Sequence, residues 1–168
     1  LRAHIAGFYR KGKNMIDWVK EKPEDIWESQ NLTKVDNLGF ETNLSLLPRE
    51  LGNERFFIRK IELGYAFIHQ DKDSEGYISN YALDYLKHKF TAQLSHSIWK
   101  GFSATWYVRW QDRAGSYTKY ENLKPAYEEP YAPYCLVDMK VNWEYQRLNL
   151  YAELNNLLNS TYYDLGNI

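Results

Sequence analysis

The sequence predicts an all-β protein, a run of antiparallel amphipathic strands of the kind that walls a transmembrane β-barrel. Three observations predict it. Apolar and polar residues alternate through segment after segment. Long and short connections alternate between those segments. Aromatic residues make up 17% of the 168 (15 Tyr, 7 Phe and 6 Trp), and Trp106, Trp110, Trp143, Tyr145, Tyr65 and Phe67 sit on the apolar faces toward segment ends. Successive side chains of a strand point to opposite faces, so strict alternation describes a sheet with one greasy and one wet face.

Ala3 to Trp18 reads as an opening strand with a bulge near Gly12, where apolar parity passes from Ile5 and Tyr9 to Ile16 and Trp18. A second strand sets Leu38, Phe40, Thr42, Leu44 and Leu46 against Gly39, Glu41, Asn43 and Ser45. The third, around Ile61, Leu63, Tyr65 and Phe67, is less regular because Ile68 interrupts its polar side. The fourth alternates Phe90, Ala92 and Leu94 with Thr91, Gln93 and Ser95. The fifth sets Phe102, Ala104, Trp106, Val108 and Trp110 against Ser103, Thr105, Tyr107, Arg109 and Gln111. In the sixth, Val137, Met139, Val141, Trp143 and Tyr145 interleave with Asp138, Lys140, Asn142 and Glu144. The seventh carries Leu148, Leu150, Ala152 and Leu154.

The connections have a rhythm. Lys20 to Asp25 is long and polar, Pro48 to Glu54 compact, Gln70 to His88 long, Lys100-Gly101 tight, Asp112 to Pro133 long, and Gln146-Arg147 tight. Outer-membrane barrels alternate external loops with periplasmic turns in this way. A soluble sandwich has no reason to put every long loop at one end. A soluble aromatic-rich β-sandwich that binds carbohydrate is the alternative reading of the same composition.

Charge excludes one class of partner. Lys and Arg number 21 against 22 Asp and Glu, so no basic surface invites nucleic acid. Mean hydropathy is −0.65, and no stretch approaches the roughly 18 consecutive apolar residues of a membrane helix. A barrel strand needs only about 10 residues of alternating character. Cys135 is the single cysteine, which rules out a disulfide framework and reads as a small apolar strand residue.

No catalytic constellation stands out: there is no G-x-S-x-G, no glycine-rich phosphate loop and no H-E-x-x-H, so neither an enzyme nor a cofactor is expected. His4, His69, His88 and His96 lack ligand spacing, and no metal is expected on them. Asp71 to Gly76 begins like a calcium loop, but Ala82 stands where the closing bidentate Glu belongs, which favours a solvated loop tip. The tyrosine-rich long connections are the candidate ligand site. Tyr77, Tyr81, Tyr117, Tyr120, Tyr127 and Tyr131 are its candidate residues, with Tyr85 and Tyr134 nearby and Pro125, Pro130 and Pro133 as stiffeners. Tyr offers flat apolar area plus a hydroxyl at low entropic cost. The competing reading, of equal weight, packs these rings on one another or on the barrel rim.

Three motifs carry a family resemblance. Phe8-Tyr9-Arg10-Lys11-Gly12-Lys13-Asn14-Met15-Ile16-Asp17-Trp18 resembles a barrel strand of the TonB-dependent outer-membrane receptors, the vitamin B12 transporter-like members in particular. Asn31 to Glu41, with Gly39-Phe40-Glu41, is similar to the strand that follows, and Leu150 to Tyr163, through Asn155-Asn156-Leu157-Leu158-Asn159, to the penultimate one. The resemblance implies a bacterial outer-membrane barrel of 22 strands closed by a plug, with residues 1–168 as its C-terminal portion and the plug and final strand outside them. It implies active uptake of a scarce nutrient, a corrinoid first and an iron chelate second. The implied partners are outer-membrane lipid, TonB through the plug, the small-molecule nutrient and a surface lipoprotein. Lumen-facing Arg109, Glu144, Glu153 and Tyr151 are expected to pair with one another or with the plug.

Overall fold

A chain that crosses hydrocarbon must pair every backbone N–H and C=O within itself, and strands do so only by pairing with neighbours. The computed structural model, which describes residues 1–48, 56–72, 76–79 and 85–163, pairs its interior strands in that way, and among the described residues the outer edges of the first and last strands of the wall are largely without a partner strand. Its elements are β1 (Arg2–Lys20), β2 (Glu28–Leu46), β3 (Ile58–Lys72), β4 (Ile78–Ser79), β5 (Leu86–Trp99), β6 (Phe102–Arg113), β7 (Ser116–Glu121), β8 (Lys124–Pro130), β9 (Tyr134–Tyr145) and β10 (Leu148–Leu154). One sheet runs β10-β9-β6-β5-β3-β2-β1-β4, and β7 and β8 form a separate hairpin. All strand pairs are antiparallel. Seven long strands follow one another as neighbours, as the alternation predicts. A sandwich would need two large facing sheets; here the long strands make one sheet, part of a transmembrane barrel wall.

Register is what makes the wall amphipathic. Directly paired residues share a face. Ala3 pairs with Leu44, Leu44 with Leu63, Leu63 with Ala92, Ala92 with Val108, and Val108 with Val137. One residue along, His4 pairs with Asn43, Asn43 with Gly64, Gly64 with Thr91, and Thr91 with Arg109. An apolar row therefore crosses six strands beside a wet one. A slip of one residue in any strand would put its apolar set on the wet side. Leu38, Leu44, Leu63, Phe90 and Leu150 of the apolar face are all exposed, which suits contact with lipid.

Rings edge this face at both ends. Toward the tight turns, Phe102 stacks on Trp143 at 5.9 Å and Trp143 on Tyr145 at 5.9 Å. A register shift between Ser97 and Trp99 pairs Trp99 with Phe102, bringing it onto the same face. Toward the long connections, His88 lies 5.0 Å from Phe67 and 6.4 Å from Trp110. The run from His88 to Trp99 is roughly 36 Å of strand, about 28 Å of height at the ~40° tilt of such barrels, and their apolar band is ~25 Å tall. The two histidines within this face have partners there: Tyr65 Oη lies 2.8 Å from His88 Nδ1, and Trp106 Nε1 donates to His96 Nε2 at 3.1 Å. Pairing removes the cost of a bare polar atom in hydrocarbon.

Two expectations change. β1 and β2 pair from Arg2↔Ser45 to Val19↔Glu28 in a single register, so there is no bulge at Gly12. The parity switch has another cause. Nineteen residues extend about 60 Å, well beyond the hydrocarbon, and above it no lipid dictates which face is apolar. The long connection Asp112 to Pro133 is the second: most of it is the β7–β8 hairpin. Its turn is Asn122-Leu123, with φ of 50° and 64°, the two left-handed residues of a type I′ hairpin.

The Gly39-Phe40-Glu41 motif has a packing reason. Gly39 pairs with Phe8 and is buried, and a Cβ there would lie 2.5 Å from Phe8 Cζ and 2.6 Å from the Phe67 carbonyl oxygen. The ring can move; the backbone oxygen cannot. Gly39→Ala should destabilise the barrel by about 1–3 kcal/mol, read as a lower urea midpoint of the full-length receptor in lipid vesicles. Phe8→Leu in the same chain should recover only part of the loss.

Candidate functional site

Fully buried side chains concentrate at the long-connection end. Val19, Lys20, Val35, Gln111, Thr118, Tyr131, Tyr134 and Leu136 are all there, each no more than 9% exposed. Elsewhere the wall is one layer thick, and only small residues such as Ala104 and Gly39 are buried in it among the described residues. At this end the loops fold over one another and make a mouth.

Lys20, the last residue of β1, is its centre. Its side chain is only 3% exposed. The ammonium donates to Thr118 Oγ1 at 2.8 Å and to the Pro23 carbonyl at 3.0 Å, and lies 3.5 Å from Glu128 Oε1. The Trp27 ring lies 4.7 Å away. The Thr118 hydroxyl in turn donates to Glu128 Oε1 at 2.6 Å, and Ser116 donates to Glu128 Oε2 at 3.1 Å. A buried ammonium is tolerable only when paired and hydrogen-bonded, and this one is. In the sheet, β5, β3 and β2 lie between β6 and β1. The hairpin that grows from β6 therefore reaches across about 19 Å of wall, at ~4.8 Å per strand, to meet Lys20. The remaining long connection, Gln70 to His88, joins them, since β4 pairs Ile78 with Lys20 and Ser79 with Val19.

Beside Lys20 a cavity of about 470 Å³ is lined by Glu21, Glu24, Asp25, Ile26, Glu28 and Tyr77, among others. Below, on the wet face, a groove of about 430 Å³ is lined by Glu62, Gln93, Tyr107, Arg109 and Asp138. Of the lumen residues expected to pair, Glu153 accepts from Lys140 at 2.8 Å, whose ammonium also sits 4.1 Å from the Tyr151 ring. Glu144 accepts from Asn142 at 3.1 Å. Arg109 lies on the groove.

The tyrosines divide. Tyr117 stacks on Tyr163 at 4.7 Å and tilts against Tyr131 at 5.6 Å; Tyr134 stacks on Tyr162 at 4.6 Å and donates a short hydrogen bond to Gln111. Arg113 lies over the Tyr131 ring. These rings pack on one another at the root of the hairpin. Tyr120 and Tyr127 are 64% and 45% exposed on the hairpin, with Leu123 97% exposed at its tip. Tyr77 lines the cavity, and Tyr81 lies outside the described residues, as do Asp73, Ser74 and Glu75 of the calcium-like loop.

Two groups on the hairpin have shifted pKa values. The hydrogen bond from Lys119 to Glu129, 2.6 Å, raises the lysine well above its ordinary range, helped by Tyr127. Burial, then the nearby Glu129 charge, raises the Tyr117 hydroxyl. A raised lysine contributes its stabilisation fully below the unfolded pKa of about 10.5 and loses it only as pH climbs past the folded value. The Lys119–Glu129 pair thus holds throughout the neutral range, and exposure keeps it weak.

What presents Tyr162 and Tyr163 is a knot that sequence reasoning missed. The Asn156 side chain accepts from Ser160 N at 2.9 Å and donates to Ser160 O at 3.0 Å. Asn156 N donates to Asp138 Oδ1 at 2.7 Å, and Ser160 Oγ to the Cys135 carbonyl at 2.7 Å. Asn156 and Asn159 hold positive φ, 51° and 50°, which asparagine tolerates. The asparagine-rich Asn155-Asn156-Leu157-Leu158-Asn159 run was the available signal.

Residues 1–157 match the family model described as "TonB dependent receptor-like, beta-barrel". No curated protein and no solved structure matches the chain significantly.

Asn156→Ala removes both bonds to Ser160 and should cost about 1–3 kcal/mol locally. Hydrogen exchange on the full-length receptor should show faster exchange at 156–163 and in β7, with β3 and β5 unchanged. A titration of ¹³Cε-labelled lysine should find Lys119 losing its proton at a higher pH than free lysine.

Proposed function

The chain belongs to the TonB-dependent receptors, as part of their β-barrel, and we propose that the receptor it walls takes up a corrinoid of the vitamin B12 type, with an iron chelate second. The family comprises bacterial outer-membrane receptors for nutrient uptake, not enzymes, and works with TonB and small-molecule substrates. On the resemblance of its strand motifs, residues 1–168 are the C-terminal portion of the barrel, and the plug that TonB engages is carried elsewhere in the receptor.

The corrinoid reading rests first on Phe8–Trp18, Asn31–Glu41 and Leu150–Tyr163, each similar to vitamin B12 transporter-like members. The mouth supports it. Tyr120, Tyr127 and Leu123 offer exposed apolar area on one hairpin, suited to a broad, rigid ring system. Tyr77 faces cargo from the neighbouring loop in this reading, and Tyr81 is a candidate from the sequence alone. Tyr117 and Tyr131 act as supports, because their rings are already stacked.

Isothermal titration of cyanocobalamin into the purified full-length receptor should give binding at micromolar concentration or tighter. Tyr120→Ala with Tyr127→Ala should weaken it about tenfold while the barrel stays folded. Absence of heat with cobalamin at micromolar levels, together with heat from a ferric chelate, would move the assignment to the second reading.

A further inference from the structure

We infer that the β7–β8 hairpin is a lid lying across the barrel mouth and that the buried Lys20–Thr118–Glu128 cluster is its latch. The hairpin is a two-stranded sheet of its own, without strand pairing to the wall among the described residues. It is rooted in β6 and β9 by two short connectors, Ala114-Gly115 and Tyr131 to Pro133. Gly115 holds φ of 99°, a conformation that favours glycine, and the second connector ends in proline. At the root, Ala114 N donates to the Tyr85 carbonyl at 2.9 Å and Tyr131 N to the Gly115 carbonyl at 3.3 Å. The stack of Tyr117 on Tyr163 lies on this side. The other attachment is the cluster on Lys20, which belongs to a strand four places away in the sheet.

Two-stranded hairpins have little stability of their own, so side-chain contacts set where this one rests. The chemistry of the far attachment suits release. Lys20 and Glu128 lose hydration when the hairpin is down and recover it when the hairpin lifts, so attraction is largely offset by desolvation. A greasy contact there would hold the closed position far more firmly. The root is made of stacked rings and backbone bonds, which can stay intact as a pivot. The latch therefore opens and closes the space over the cavity by Lys20 and the luminal groove.

The lid stands independently of which cargo is carried, and its test uses no cargo. Spin labels at Leu123→Cys and Ile26→Cys, in a Cys135→Ser background of the full-length receptor in outer-membrane vesicles, report the distance from lid tip to the β1–β2 loop. The parent should give one narrow, short distribution. Lys20→Gln and Glu128→Gln should each add a longer component, raising the open population about tenfold. The double variant should open no further than either single one, because both remove the same contact. Unchanged distributions in both single variants, or additive opening in the double, would overturn the latch. Heat-modifiable gel mobility verifies that each barrel is folded, and either single variant carries the test if the other fails to assemble.

Discussion

The structure depends on one constraint: within hydrocarbon a strand must bond to its neighbours on both sides and turn its apolar parity toward lipid. From β2 to β9 both demands are met by register. The row from Ala3 through Leu44, Leu63, Ala92 and Val108 to Val137 holds only if every intervening strand keeps its alignment. Gly39 lets Phe8 lie over β2 without pushing the sheet apart, and the shift at Ser97 and Trp99 brings a tryptophan to the boundary. His88 and His96 persist on the greasy face because Tyr65 and Trp106 satisfy them.

Beyond the hydrocarbon the constraint lifts, and different physics takes over. Three connections converge on the end of β1, and large side chains become buried there. Lys20 is buried with its charge paired, Asn156 closes a turn on Ser160, and Tyr117 and Tyr134 stack on Tyr163 and Tyr162. The packed mouth leaves Tyr120, Leu123 and Tyr127 outward on the hairpin. Exposed rings and packed rings are thus separated within one loop.

The legible part of the sequence was the part that lipid disciplines. β5, β6, β9 and the lower half of β2 alternate strictly, and their pairing follows from it. The upper half of β2, from Glu28, shows no strict alternation because it lies beyond the hydrocarbon, where no lipid imposes a period, and only the resemblance of Asn31 to Glu41 marked strand there. The hairpin was read as loop because Asn122-Leu123 lacks the glycine that usually marks a type I′ turn. For the tyrosines, display and packing were equally open from sequence, since neither stacking nor exposure leaves a local pattern. Lys20 was read only as the start of a polar loop. Its partners at Thr118 and Glu128 lie about a hundred residues away, and proximity across a curved wall has no signature in the chain.

The central claim is that the apolar face of this sheet meets lipid and the other face a wet lumen. Spin labels placed singly from Phe102 to Arg113 in the full-length receptor, reconstituted in bilayers, test it directly through their collisions with oxygen and with a water-soluble nickel chelate. The account predicts a period of two, with oxygen favoured at Ala104, Trp106, Val108 and Trp110 and not at Ser103, Thr105, Tyr107 and Arg109. Nickel access on both faces, or no period at all, would contradict it.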